Sequence, residues 1–309
     1  MVTNARKRIL VTGATGYIGT HLCKELIKKN YEIHAVVLPG KHQAVANIVF
    51  HELDLMDKQA VTAFLQNNSF EQLIHLAWYV GPKCQISPLN IEWMESSLHL
   101  IKTFWENGGK TVMVSGSMSE YDFSSGWCVE GKTPLDSLSL YGQTKAALYQ
   151  MLEKFCKFHD LQLKWARIFN IYGLSEKKTR LIPYVINAML RAEDVNVSHC
   201  MQIQNYLHIT DVARALTEFL ESPVTGAVNI AADTPVRLKS MIEFCKKEIG
   251  YTKEVHYGAI APSFEQPFLS GDITRLKQEV GFKQNISLEE GLKQTIEYWQ
   301  EQIRTNHEK

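Results

Sequence analysis

The chain has 309 residues, 45% of them hydrophobic and 21% charged, the composition of a soluble globular protein long enough for one large or two coupled domains. Its 33 basic residues balance 33 acidic ones, so there is no net field to gather a polyanion. This argues against nucleic acid or an acidic membrane as the main partner and leaves a small-molecule enzyme as the default.

Along the first half, short β-branched runs alternate with longer stretches of helical period, the pattern of a parallel sheet covered by helices. Residues 8–12 read as a first strand. Ile18, Leu22, Leu26 and Ile27 then line one helix face, which ends near Asn30. Residues 31–38 form a second strand, stopped by Pro39-Gly40, and residues 47–52 a third. A helix through residues 57–67, a fourth strand at 72–77 and a helix over 91–106 follow, the last closed by Gly108-Gly109. Residues 111–115 are a fifth strand, 141–159 a helix and 162–168 a sixth strand.

From Gly173 onward the elements shorten, punctuated by Pro183, Pro223, Pro235, Pro262 and Pro267, and a smaller second domain is expected to grow out of the sheet there. The six cysteines are scattered with no C-x-x-C pair, as in reduced cytosolic proteins. Glycines at 13, 16 and 19 interrupt the only N-terminal apolar stretch, and no run approaches the roughly 18 apolar residues of a membrane span. The protein is expected to be cytoplasmic. No histidine pair has metal-ligand spacing, so metal catalysis has no support in the sequence.

Gly13-Ala14-Thr15-Gly16-Tyr17-Ile18-Gly19 lies between the first strand and the first helix, where a tight turn must bring backbone amides to a pyrophosphate. In Tyr141-Gly142-Gln143-Thr144-Lys145 the phenol and the amine are four residues apart and share a helix face. A tyrosine with an ordinary pKa of about 10 needs such a neighbour to exchange protons near neutrality. Ser117, in Val114-Ser115-Gly116-Ser117, ends a strand on the side of a parallel sheet where ligands bind.

Together these three features resemble the extended short-chain dehydrogenase/reductase family, of the NAD-dependent epimerase/dehydratase type, whose members chiefly act on nucleotide-activated sugars. Further matching stretches are Asp54-Leu55, His75-Leu76-Ala77, the segment from Arg167 to Gly173, and that from Tyr206 to Ala213, so the likeness covers nearly the whole chain. The resemblance implies a Rossmann-type doubly wound parallel sheet in residues 1–172 plus 205–231, and a smaller α/β substrate-binding domain in residues 173–204 plus 232–309.

The resemblance makes Ser117, Tyr141 and Lys145 catalytic: Tyr141 handles the proton on the reacting oxygen, Lys145 lowers the phenol pKa and holds the nicotinamide ribose, and Ser117 orients the substrate. Gly13, Thr15, Gly16, Tyr17, Ile18, Gly19, Lys41, Asp54, Leu55, Leu76, Ala77, Tyr141, Lys145 and Phe169 would hold the dinucleotide. Trp78, Met118, Ser119, Asn170, Arg180, Leu181 and Gln204 would face the substrate. Trp78 and Tyr79 read equally as an aromatic wall or as core packing.

Departures from the family pattern narrow the activity. The family's 4,6-dehydratases carry an Asp-Glu pair where Met118 and Ser119 stand, so elimination of water is not expected. Glu120 is one position late and reads as a structural contact. Val37 replaces the acid that usually receives the adenosine ribose, and Lys41 is placed either to meet a 2′-phosphate or as a solvated loop charge. The cofactor is therefore expected to be NADP, with NAD as the alternative. Two arginines that commonly hold a nucleotide diphosphate are missing at Gln204 and Ser263, and Arg180 is the candidate replacement. The leading expectation is a 4-ketoreductase for a nucleotide 4-keto-6-deoxy sugar. The alternatives are a nucleotide-sugar 4-epimerase, a reductase of a substrate without diphosphate, and a non-catalytic dinucleotide sensor. A homodimer built on the helices over 91–106 and 141–159 is expected from the family.

Overall fold

The computed structural model describes residues 7–40, 45–262 and 266–307. In chain order its principal elements are β1 (Lys7–Thr12), α1 (Tyr17–Lys28), β2 (Tyr31–Val37), β3 (Ile48–Glu52), α2 (Lys58–Asn67), β4 (Gln72–His75), α3 (Leu89–Glu106), β5 (Thr111–Ser117), α4 (Leu140–Phe158), β6 (Gln162–Ile168), α5 (Leu181–Leu190), α6 (Ile209–Glu221), β7 (Gly226–Ile230), α7 (Leu238–Ile249) and α8 (Leu288–His307).

The strands make one seven-stranded sheet in the order β7-β6-β5-β4-β1-β2-β3, every neighbouring pair parallel. Alternate strand residues enter opposite layers, as the period of two requires. Ile9, Val11, Ile33, Ala35 and Ile74 pack under α1 and α6, while Leu10, Val36, Leu73, Val112 and Val114 pack under α2, α3 and α4. Because both faces are covered, the strands read as nearly continuous apolar runs rather than alternating ones. The order reverses between β1 and β4, and in open parallel sheets ligands bind outside the carboxyl ends of such a pair.

Beyond the sheet, α5, α7 and α8 enclose a separate apolar core that includes Val185, Ile186, Met241, Ile242, Leu292 and Trp299. The short strands there form a four-stranded sheet, Val236–Arg237, Ile203–Gln204, Phe268–Gly271 and Trp127–Cys128, and two two-stranded ones. Among the described residues no helix is long and apolar enough to cross a membrane, and no group of three or more His, Cys, Asp and Glu is placed to hold a metal ion.

Candidate active site

The turn after β1 is shaped by close backbone approach. Gly13 has φ +71° and the Gly16 amide donates to its carbonyl at 3.0 Å. A Cβ on Gly13 would lie 2.8 Å from the Ala77 nitrogen, and one on Gly19 would lie 2.1 Å from the Gly13 oxygen. Only glycine permits this packing of β1, the end of β4 and α1. Gly16 caps α1 without a side chain, so the first-turn amides of the helix have no side-chain acceptor there. Glycines without steric tolerance around an uncapped helix start fit a dinucleotide pyrophosphate. Thr15 is exposed at the lip; Ile18 and the half-buried Tyr17 pack inward.

A hydrogen-bond relay fixes the facing loop. Ser97 donates its hydroxyl proton to the Trp93 carbonyl at 2.6 Å, so it accepts from His75 Nε2 at 2.8 Å. His75 Nδ1 then accepts the Thr12 hydroxyl at 2.7 Å, and the Thr12 oxygen receives the Ala77 amide at 3.3 Å. Burial, aided by the Lys145 charge, pushes His75 down to about 3, which keeps it neutral in this role. Leu76 is tied in by its amide, 3.1 Å from the Thr12 carbonyl. After β3, Asp54 is exposed and accepts the Met56 amide at 2.9 Å, while Leu55 is buried in the core; Asp57, not Asp54, caps α2. Val37 is buried at the end of β2. Lys41 and Ser263 lie outside the described residues.

The catalytic candidates converge at the carboxyl ends of β4 and β5. Ser117 begins a single turn of 3-10 helix over Met118–Glu120, and its Oγ accepts the Ser119 amide at 3.1 Å. With that lone pair committed, the Ser117 proton is free to point elsewhere, and Ser117 lies near enough to the Tyr141 phenol to favour its ionised form. Ser139 caps α4 through the Gly142 amide at 3.0 Å. Gly142 lets the first turn of α4 rest on the turn that follows β5: a Cβ there would lie 1.9 Å from the Ser119 carbonyl oxygen.

Lys145 is 1% exposed. Its ammonium donates to the Ser115 carbonyl at 2.8 Å and sits 3.8 Å from the centre of the Trp78 ring. Trp78 is itself 8% exposed, donates to Asn90 Oδ1 at 2.9 Å and meets the Tyr141 ring edge-on at 6.5 Å. It is a cation–π partner for the lysine as much as a wall. Burial lowers Lys145 to about 7, with the Glu120 charge working against that fall. Burial raises Tyr141 to about 12; Ser117 opposes the rise, and Glu120 and Cys84 add to it. In this state the phenol stays protonated. The lysine spends its charge on Ser115 and Trp78, whereas the family likeness had it lowering the phenol pKa.

Beneath Ser117 lies a polar cluster around Glu120, the residue expected to make a structural contact. Glu120 is 0% exposed and receives the Ser117 amide at 2.7 Å, the Trp165 indole at 3.0 Å and Arg167 Nε at 2.6 Å. The Arg167 guanidinium lies between the rings of Tyr149 and Tyr121, at 4.5 and 4.9 Å. Tyr121 in turn donates to Asn229 Oδ1 at 2.8 Å, and Asn229 Nδ2 donates to the Cys128 and Asp272 carbonyls, both at 3.0 Å.

The substrate candidates are only partly gathered. Met118 packs on a small core with Tyr121, Cys128, Phe169 and Leu269, and the Phe169 ring is pressed against Gly271. Asn170 donates to Gln204 at 3.0 Å, so these two are engaged with each other. Arg180 is 65% exposed at the start of α5, beside the half-buried Leu181, and pairs with the buried Glu176 at 3.4 Å.

The profile of the NAD dependent epimerase/dehydratase family matches residues 9–231. The chain belongs to that family. Its members are NAD-dependent enzymes of the extended short-chain dehydrogenase/reductase type acting on nucleotide sugars. Among its relatives, the UDP-glucose 4-epimerase of Bacillus subtilis is 29% identical, over 91% of this chain and 94% of that one. The CDP-abequose synthase of Salmonella muenchen is 24% identical over 95% and 98%. A dTDP-6-deoxy-L-talose 4-dehydrogenase (NAD(+)) of Aggregatibacter actinomycetemcomitans is 25% identical over 76% and 88%. The solved UDP-glucose 4-epimerase of Thermotoga maritima shares the fold with a TM-score of 0.84 at 24% identity, covering 96% of this chain and 99% of its own. MoeE5, solved with UDP-glucose and NAD, gives 0.81 at 26% identity over the same shares.

Proposed function

We propose that the protein is an NAD(P)-dependent oxidoreductase acting at C4 of a nucleotide-activated sugar, and that its reaction is reduction of a 4-keto-6-deoxy sugar. The observation that carries this reading is the gathering of Ser117, Tyr141 and the buried Lys145 at the carboxyl end of β5, with the Lys145 ammonium fixed on the Ser115 carbonyl at 2.8 Å and the phenol kept protonated by burial, so ready to donate. The bound dinucleotide would supply hydride from its nicotinamide ring. Gly13, Gly16 and Gly19, with the first amides of α1, would hold its pyrophosphate, and Leu76, Ala77 and Phe169 would line it.

Tyr141 gives its proton to the C4 oxygen as that oxygen gains charge, which typically contributes about 10²–10⁴-fold in rate. Ser117, fixed by the Ser119 amide, directs its own proton at the same oxygen or at the phenol. Met118 and Ser119 carry no carboxylate, so elimination of water has no acid–base pair. The apolar Met118, packed toward Phe169, suits a 6-deoxy methyl group. Arg180 would hold the diphosphate after leaving Glu176. For the cofactor we retain NADP: Val37 offers the ribose no acceptor at the end of β2. The substrate-binding portion is residues 173–204 plus 232–309, and the exposed Ile91, Met151 and Phe158 on α3 and α4 support a homodimer through those helices.

The second reading is 4-epimerisation, favoured by the Bacillus subtilis relative at 29% identity. Incubation with NADPH and a panel of UDP-, CDP- and dTDP-linked 4-keto sugars separates the two, because a reductase consumes NADPH and an epimerase does not. Tyr141→Phe is expected to bind the coenzyme normally and to lose about 10²–10⁴-fold in turnover; full turnover in that variant rejects the site. Calorimetry with NADH and NADPH tests the cofactor, tighter NADH binding overturning the NADP assignment. Competition by free UDP and CDP tests the diphosphate site.

A further inference from the structure

Glu120 is a fully buried carboxylate directly beneath a catalytic candidate, and its hydrogen bonds are more than packing requires. It closes a reciprocal cap in which Ser117 Oγ takes the Ser119 amide and the Ser117 amide goes to Glu120 Oε1. Gly116 makes room for it: a Cβ there would lie 2.5 Å from Glu120 Oε1 and 2.3 Å from the Trp165 indole nitrogen. Arg167 and Trp165 hold the carboxylate from β6, two residues apart on one face of the strand. A structural ion pair needs only the guanidinium. Here the carboxylate also fixes the backbone of the serine that addresses the phenol.

We propose that Glu120 is the positioning residue of this site: it sets the place of Ser117 through the backbone and brings one negative charge under the Tyr141 and Lys145 side chains. The inference rests on the Ser117, Tyr141 and Lys145 assignment above. The charged and titratable groups facing Glu120 are Arg167 on β6, Tyr121 beside it in the chain, and Tyr141, Lys145 and Tyr149 on α4. Its charge disfavours the phenolate of Tyr141 and favours the ammonium of Lys145. Removing that charge while keeping an acceptor for the Ser117 amide therefore lowers both proton affinities together.

The test is a titration of the NADP-loaded protein by the near-ultraviolet phenolate band, taken as the difference between the protein with Tyr141 and the same protein carrying Tyr141→Phe. Glu120→Gln is expected to move the phenolate midpoint down by about one pH unit. Glu120→Ala, which leaves the Ser117 amide without its acceptor, is expected to lower kcat with KM little changed. An unmoved midpoint in Glu120→Gln assigns the pair a structural role only and overturns the proposal. Should that variant not fold, Glu120→Asp keeps the pair with Arg167 but draws the carboxylate back from the Ser117 amide; a lowered kcat with KM little changed is expected, and an unchanged kcat refutes. The titration needs no sugar substrate. Full turnover in Tyr141→Phe defeats the catalytic assignment, whereas a fixed midpoint defeats only the role of Glu120.

Discussion

Replacing Gly142 by alanine isolates the packing that brings the two halves of the site together. The added Cβ would stand 1.9 Å from the Ser119 carbonyl oxygen and 2.1 Å from Ser137 Oγ. The serine side chain can rotate away, but the Ser119 carbonyl belongs to the turn that Ser117 and Glu120 cap. Ordinary contact begins near 3.4 Å, so α4 and that turn must part by about 1.5 Å. A parting of that size is about half the length of a hydrogen bond, enough to separate the Tyr141 phenol from the Ser117 hydroxyl. Misplacement of a catalytic group by about 1 Å costs on the order of 10²-fold in rate. Overpacking costs about 1–3 kcal/mol, offset by about 1 kcal/mol of better helix propensity, so the fold survives. The assay is steady-state turnover with the active sugar from the nucleotide panel, together with coenzyme calorimetry and a thermal melt. The expected result is at least a hundredfold loss of kcat with a much smaller loss of coenzyme affinity, since the Gly13 turn is untouched. Wild-type turnover with an unchanged melt would refute the idea that this contact holds Tyr141 to Ser117.

Two other outcomes follow from the buried groups. His75 is depressed from its ordinary 6.5 to about 3, so below pH 6.5 the unfolded chain takes up a proton that the folded one refuses. Its contribution is whole above pH 6.5 and is lost as the pH falls toward 3, by up to about 1.4 kcal/mol per unit; in urea melts at pH 7 and 4.5, His75→Gln should lose less stability than wild type between the two, and an equal loss contradicts the assignment. Trp78→Leu removes a desolvated cation–π contact of about 2 kcal/mol, which shifts Lys145 down by about 1.5 units. The alkaline limb of the pH–rate profile should move to lower pH by that order, and a limb that stays in place shows that the ring does not hold the ammonium.

The sheet was legible because each buried strand is a short apolar run followed by a helical stripe, and the ends expected at residues 8–12, 31–38 and 162–168 fall within a residue of the strands found. The Tyr141–Lys145 spacing and the glycine turn are local patterns, readable without tertiary contacts. Glu120 was not: its partners are 45 and 47 residues away, and they meet it only because β6 lies beside β5 in the sheet. Lys145 likewise turns toward Trp78, which no spacing connects to it. Asn170 and Gln204 both looked like substrate contacts because each is a polar residue in a matching stretch, and only the fold shows them bonded to each other.

Asn229, a fully buried amide on the strand at one edge of the sheet, has a bearing on synthesis. It joins Tyr121, next to the Ser117 turn, to the carbonyls of Cys128 and Asp272. The nascent chain carries Ser117, Tyr141 and Lys145 out of the ribosome long before residues 229 and 272 emerge, so the turn that presents the serine is buttressed only after both have followed. A product truncated shortly before residue 229 would keep Ser117, Tyr141 and Lys145 and lack the support beneath them, which ties the ordering of that turn to the arrival of the seventh strand.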